Sequence, residues 1–263
     1  MMLSPSAASA HAAPDGSYTV RVNATDIGTG ARTVLAQIAA AALATPLDNV
    51  TIEIGSSDLP FGSVAGGSSG TASWGTAVHK AATALVRRLA DGGTVPPEGV
   101  TVTASTEEEA SEESPYARHA FGAHFAEVAV DSLTGEVRVR RMLGVFAAGR
   151  ILNARTARSQ FIGGMVMGLG MALTEGSTMD PVHGDFTERD LASYHVPSCA
   201  DVTGLEAHWI DEDDHHLNPM GSKGIGEIGI VGAAAAVGNA VRHATGARLR
   251  SLPLTPDKLL PYL

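Results

Sequence analysis

Residues 218–229 read Asn218-Pro219-Met220-Gly221-Ser222-Lys223-Gly224-Ile225-Gly226-Glu227-Ile228-Gly229 and lead into an alanine-rich stretch that ends near Thr245. Gly224, Gly226 and Gly229 make a literal G-x-G-x-x-G. In a doubly wound dinucleotide fold this motif follows a buried strand, and an acidic residue lies about 20 positions further on. Neither condition is met. Asn218-Pro219 and the small residues after it cannot be a buried strand, and no Asp or Glu occurs between Glu227 and Asp257. What remains is a turn that opens a helix, predicted from about Ile230, with backbone N–H groups and one carboxylate at its start. Such an end suits an anion or an anionic cofactor.

Upstream, Tyr18, Val20 and Val22 alternate as a strand over 17–23, and Val34, Leu35, Ile38 and Leu43 recur at helical spacing over 31–44. A second strand over 50–54 precedes a Gly/Ser loop over 55–70 and a helix over 71–90. Further on, a short strand lies near 100–102. Strands over 121–130 and 136–146, joined by Asp131-Ser-Leu-Thr-Gly135, make the clearest hairpin. A Gly- and Met-rich helix over 156–175 and a strand over 205–210 complete the pattern. Strands and helices do not keep the rhythm of a parallel sheet, so the expected class is α+β, with mixed sheets and packed helices. Residues 1–16, rich in Ser and Ala, read as a disordered leader. The rest, 17–263, is expected to form one region, divisible at about 17–105 and 115–263.

Composition narrows the function. The chain of 263 residues is 44% hydrophobic and 17% charged, which fits a packed protein, and it holds 30 glycines but only 5% aromatics. The net charge of −10 is local. Glu107, Glu108, Glu109, Glu112 and Glu113 form one acidic run and Asp211 to Asp214 another; without those nine, 19 acids face 18 bases. Both runs read as solvated loops. No face is basic enough for nucleic acid, and no apolar stretch is long enough for a membrane span. The single Cys199 excludes a disulfide framework and an iron–sulfur site built from this chain.

Glu227 is the candidate catalytic residue. A Glu in the first turn of a helix is favourable by about 0.3–1 kcal/mol whatever its role. Its neighbours Gly226, Ile225, Ile228 and Ile230 nevertheless suggest a carboxylate among apolar groups, where it would gain basicity. Gly66-Gly67-Ser68-Ser69-Gly70 is a literal G-x-S-x-G without the buried strand that a nucleophile elbow needs. Its amides, like those of Asp26-Ile27-Gly28-Thr29-Gly30, suit a phosphate or a polycyclic cofactor better. Asp211 to His216 crowds ligand types consecutively, without the spacing that converges them on a metal, so no metal ligands are assigned. Gly164-x-x-x-Gly168 lies in a segment too polar for a membrane and reads as close helix packing in a soluble core.

Taken in order, DIGTG (26–30) with the TVLAQIA helix, the Gly/Ser loop ending in TAS (71–73), and HFAEVAVDSLTGEVRVRRMLGVFAAGRILN (124–153) form a familiar series. It continues with SQFIGGMVMGLGMAL (159–173) and NPMGSKGIGEIGIVGAAAAVGNAV (218–241). The series resembles the molybdenum-binding subunit of the xanthine dehydrogenase/aldehyde oxidase family of molybdenum hydroxylases, and within it the bacterial aldehyde oxidoreductases.

The resemblance implies a second molybdopterin-binding domain, with molybdenum held through the pterin and the cytosine dinucleotide form as one candidate. It places Ile27, Gly28, Thr29 and Gly30 in one cofactor loop and Gly70, Thr71, Ala72 and Ser73 in another. Gln160 would hydrogen-bond the cofactor, Lys223, Gly224 and Gly226 would line it, and Glu227 would be the base toward a molybdenum-bound hydroxyl. Thr29 stands where glutamine is usual in part of the family, which points to the aldehyde-oxidising branch.

The implied reaction is hydroxylation of an aldehyde or an aromatic N-heterocycle with water as the oxygen source. The family's N-terminal half, with its Gly-Phe-Gly-Gly loop and substrate-orienting arginine, has no counterpart in the sequence. The implied partners are therefore that half, if separately encoded, an iron–sulfur subunit and an FAD subunit. The expected compartment is the cytoplasm, or the periplasm through a partner's signal. The alternative is a catalytically inactive truncated remnant or an assembly module.

Overall fold

The computed structural model describes residues 3–92 and 94–263. The chain divides into two compact units. The first comprises the segment ending at Ala120 together with 148–157 and 211–226; the second comprises 121–147, 158–210 and 227–263.

The first unit holds β1 (Ala7–Ala12), β2 (Tyr18–Arg21), α1 (Ala31–Leu43), β3 (Val50–Glu53), α2 (Gly70–Gly92), β4 (Val100–Ser105) and the short α3 (Glu107–Ser111). Its sheet runs β3-β2-β1-β4, with β2 parallel to β3 and β1 antiparallel to both of its neighbours. The expected disordered leader is thus corrected: Ala7–Ala12 is a central strand. Ala8, Ala10 and Ala12 alternate on the face that carries the core, a strand pattern written in a residue with little preference for strands. Burial decides the outcome. On α2, Trp74, Ala77, Val78, Ala81, Ala82 and Leu85 recur at helical spacing and join these alanines in the core, so small residues on both elements permit a close approach. α1 adds Val34, Leu35, Ile38 and Leu43.

The second unit holds β5 (Phe121–Val130), β6 (Val137–Ala147), most of α4 (Ala154–Leu173), β7 (Met179–Asp180), β8 (Asp185–Phe186) and β9 (Leu205–Trp209). After these come α5 (Ile228–Val231), α6 (Ala233–Thr245) and α7 (Pro256–Leu259). The expected hairpin is β5–β6, with a bulge at Glu127/Val128, and β9 lies parallel to β6. Phe146 and Phe161 stack at 4.3 Å with their planes 9° apart, and Met142, Met165, Leu169, Val237 and Leu259 are buried with them. These mixed sheets with packed helices make an α+β fold. The expected boundary between two sequential subdomains is corrected, because 148–157 and 211–226 return to the first unit. The first acidic run is not a loop either: Glu107–Ser111 is helical, with Glu109 paired to Lys80 at 2.5 Å.

Gly164 and Gly168 explain the small-residue spacing of α4. A Cβ on Gly164 would lie 2.8 Å from Gly229 Cα, and one on Gly168 would overlap the Ala233 methyl. Gly163, one position away, faces open space. The two neighbours therefore predict opposite outcomes in urea unfolding. Gly163→Ala should stabilise, by up to about 1 kcal/mol of helix propensity. Gly164→Ala should destabilise by about 1–2 kcal/mol, because the methyl meets backbone that cannot rotate away. Equal effects at the two positions would contradict this packing.

Candidate functional site

In the first unit the Ile27–Gly30 loop is shaped by Asp26. Its Oδ1 accepts the N–H groups of Gly28 at 2.9 Å and Gly30 at 3.2 Å, and Oδ2 accepts that of Arg32 at 3.3 Å. Gly28 and Gly30 reach this arrangement at φ 99° and 79°, where a Cβ would be strained. Burial pushes the Asp26 carboxyl upward, but the backbone hydrogen bonds from Gly28, Arg32, Gly30 and Ala31 outweigh it and hold the group below its usual range. The amides expected to cradle an anion are therefore partly engaged already. Ile27 is 66% exposed, Gly28 is exposed, and Thr29 and Gly30 are partly so. A Cβ on Gly30 would come 2.8 Å from Thr156 Cγ2, which brings this loop to the first turn of α4.

In the Gly/Ser loop, Gly66 and Gly67 are exposed and Ser68 takes a left-handed conformation at φ 54°. Ser69 closes the loop by donating its hydroxyl to Gly66 O at 2.8 Å. Gly70 and Thr71 stay partly accessible, whereas Ala72 and Ser73 are buried. Ser73 Oγ accepts the Ser4 N–H at 3.0 Å, so its side chain holds β1's approach segment and does not face outward.

The turn after Asn218 is built on a buried side chain that the sequence reading passed over. Asn218, only 4% exposed, donates Nδ2–H to Ser222 O at 2.7 Å, and its Oδ1 accepts Met220 N–H and Ser222 N–H at 3.1 and 3.3 Å. Lys223, whose side chain is 8% exposed, pairs with Glu212 and lies 3.7 Å from Asp214. The second acidic run is thus partly anchored and not simply solvated, and the Lys223 ammonium is committed to it. Gly224 is half-buried and Gly226 exposed. A Cβ on Gly226 would lie 3.2 Å from Ser68 Oγ, so this turn and the Gly/Ser loop meet.

Residues 148–157 join these parts, and sequence reasoning missed them. Lys223 N–H donates to Ala148 O at 2.9 Å and Arg150 N–H to Gly221 O at 2.7 Å. A Cβ on Gly149 would sit 2.5 Å from Gly221 O. Asn153 then caps α4, accepting Thr156 N–H at 3.0 Å, and donates Nδ2–H to Gln37 at 3.1 Å. An Asn just before a helical run was the legible signal.

Gln160 and Glu227 belong to the second unit. Gln160 is half-buried on α4. Glu227 is the N-cap of α5, and its carbonyl accepts Ile230 N–H at 3.2 Å. The expected apolar surround is not what the fold provides: Glu227 is exposed, because Ile228 and Gly229 take the inward positions of this one turn. The helix expected to start at Ile230 is interrupted at Gly232, so α5 is four residues long and its dipole correspondingly weak.

Exposed, glycine-lined backbone at Gly28, Gly66, Gly67 and Gly226 leaves room for a flat polar ligand to approach the main chain. A family model described as "Molybdopterin cofactor-binding domain" matches residues 1–107 and 94–203. The chain belongs to this family. It is 42% identical over 286 aligned residues to the aldehyde oxidoreductase molybdenum-binding subunit PaoC of Escherichia coli K12, covering 100% of this chain and 39% of PaoC. It is 38% identical over 140 residues to the xanthine dehydrogenase molybdenum-binding subunit of E. coli O157:H7, covering 53% of this chain and 18% of that one. The aldehyde oxidoreductase of Desulfovibrio desulfuricans ATCC 27774 superposes with a TM-score of 0.85 at 26% identity, over 100% of this chain and 30% of that chain. The expected family, molybdenum-binding subunits of the aldehyde oxidoreductase/xanthine dehydrogenase kind, is therefore shown, and so is its α+β fold. The chain spans about two fifths of PaoC's length. Among the described residues no helix is long and apolar enough to cross a membrane, and no three His, Cys, Asp or Glu side chains are placed to hold a metal ion.

The Asp26 geometry gives a pH test. A carboxyl whose folded pKa is depressed contributes fully above its unfolded value, about 3.9 for aspartate, and loses that contribution as pH falls through the lower folded value. The Gly28 and Gly30 amide resonances should accordingly move together on acidification, with a midpoint below 3.9. Asp26→Asn should abolish that transition, and a midpoint at or above 3.9 would contradict the loop geometry.

Proposed function

We propose that this chain is the molybdopterin-binding portion of an oxidoreductase that hydroxylates aldehydes, or aromatic N-heterocycles as the second substrate class, with Glu227 as the base. The observation that supports this reading is the exposed carboxylate of Glu227 at the head of α5, in a chain that belongs to the molybdopterin cofactor-binding family. When bound, the molybdenum–pterin group supplies the two-electron redox change and the water-derived oxygen. The chain's residues supply the rest. Gly28, Thr29, Gly70, Thr71 and Gly226 offer main-chain contact to the pterin, Ile27 offers it an apolar one, and Gln160 offers an amide. Glu227 accepts and holds the proton. Lys223 shapes its turn through Glu212 and Asp214, and Ala72 and Ser73 support the second loop from within; neither role requires contact with the cofactor. Removing water from a carboxylate strengthens it as a base. We therefore place the working state in an assembly that covers this turn: further molybdenum-binding polypeptide, together with iron–sulfur and FAD subunits. The pterin's cytosine dinucleotide form and a cytoplasmic setting belong to the same proposal.

A second reading, a non-catalytic assembly module, draws on Phe61 and Val64 within the Gly/Ser loop, 64% and 74% exposed, which suit a protein contact. The experiment that separates the readings co-produces the chain with those partners and measures molybdenum content and aldehyde turnover. Glu227→Gln should lower turnover at least about 100-fold with molybdenum content unchanged, and the chain alone should be inactive. Full turnover by Glu227→Gln would remove the base from this reading. Absence of molybdenum from the assembled wild type would favour the module.

A further inference from the structure

A single helical turn has no stability of its own, so α5 must be held from outside. Contacts within its unit hold it on two sides. On one side Gly229 lies against α4, where a Cβ on it would sit 2.5 Å from Phe161 O and 3.2 Å from Gly164 Cα. On the other side His124 of β5 places Nε2 3.0 Å from Gly229 O. A carbonyl only accepts, so Nε2 carries the proton. The ring stands edge-on to Phe146, with centroids 5.3 Å apart and planes at 75°. Burial lowers its pKa below the usual histidine range, although the Gly229 contact acts in the opposite direction. The neutral ring then turns Nδ1 toward Gly232, where any Cβ would collide with it.

We propose that His124 is a positioning residue for Glu227. By donating Nε2–H to Gly229 O and by filling the space over Gly232, it sets where α5 lies and hence where its N-cap carboxylate stands. The sequence marks neither role: His124 sits in a strand, 103 positions before Glu227, in a hairpin that looks purely structural. The proposal rests on reading Glu227 as the base, but it is tested without turnover.

The test uses the purified full chain, isotopically labelled. Two signals report the turn: the exchange rate of the Ile230 amide, which is bonded to Glu227 O, and the carboxyl carbon resonance of Glu227. His124→Leu should speed Ile230 exchange about 10-fold and shift the Glu227 carboxyl signal. His124→Gln, whose side-chain amide can donate to the same carbonyl, should return both toward wild type. Gly232→Ala should disturb the same signals in the wild-type background, but far less in a His124→Ala background, where no ring remains to be struck. If His124→Leu lowers overall stability while the Glu227 signal stays put, or if Gln rescues no better than Leu, the proposal is overturned. Where His124→Leu fails to fold, the Gly232→Ala pair decides, and strict additivity with His124→Ala overturns the proposal. If these signals move as expected while Glu227→Gln leaves turnover intact in the assembly, the base assignment fails and the positioning role stands.

Discussion

Gly164 of α4 and Gly229 of α5 touch main chain to main chain, and the location of the candidate base follows from that contact. A Cβ on Gly164 would come 2.8 Å from Gly229 Cα, and one on Gly229 would come 2.5 Å from Phe161 O. Side chains can change rotamer to relieve strain, whereas backbone in a helix cannot. Position is therefore transmitted across this crossing with little slack. α4 is itself anchored by Phe161, stacked on Phe146 of β6. Glu227 lies two residues before Gly229, so a solvent-exposed carboxylate inherits the rigidity of a buried aromatic stack. Functional groups carried on packed elements in this way are held more closely than groups on free loops.

The first unit solves a similar problem with polar groups. Its turn at 218–226 contains few apolar side chains, and its order comes from Asn218, which makes four hydrogen-bonding contacts to Met220 and Ser222 while almost fully buried. Lys223 is nearly buried too, a position that demands paired charge. Glu212 and Asp214 provide it. An acidic run that would repel itself in solution thereby becomes the counter-charge of one lysine. Glu212 also accepts the Gly149 N–H at 3.3 Å, which extends the tie to the 148–157 segment.

The elements written in large apolar residues were legible. Val34, Leu35, Ile38 and Leu43 marked α1 to within a residue of its end, and the β5–β6 hairpin formed within a residue of its expected bounds, although the bulge at Glu127/Val128 breaks the alternation and Phe125 is exposed. β1 was not, because alanine serves helix, strand and disordered chain alike, and only partners distant in sequence on β2, β4 and α2 select the strand. The same limit applies to the site. The pattern identified the glycine loops and Glu227, since those signals are local. It missed Asn218, His124 and the 148–157 segment, whose roles consist of side-chain and backbone contacts, among them His124 to Gly229 across 105 positions and Asn153 to Gln37 across 116. It also misjudged the surroundings of Glu227. Isoleucines adjacent in sequence are not adjacent in space when a helical turn sends each side chain about 100° from the last.

Asp26 changes what the Ile27–Gly30 loop can contribute to ligand binding. A glycine-rich loop before a helix attracts anions through free amides, yet here a carboxylate already takes Gly28 and Gly30 and adds a negative charge beneath them. Attraction of a phosphate by this loop is thereby weakened. In exchange the loop is already ordered: its shape is set by internal hydrogen bonds before any ligand arrives, so the entropy of ordering it is not subtracted from binding. Recognition at such a loop works through shape and through the apolar face of the exposed Ile27 more than through charge. A flat ring system meets those terms better than an isolated phosphate does. In the proposed function this assigns the loop to the pterin rings and leaves the phosphate to be held by other groups.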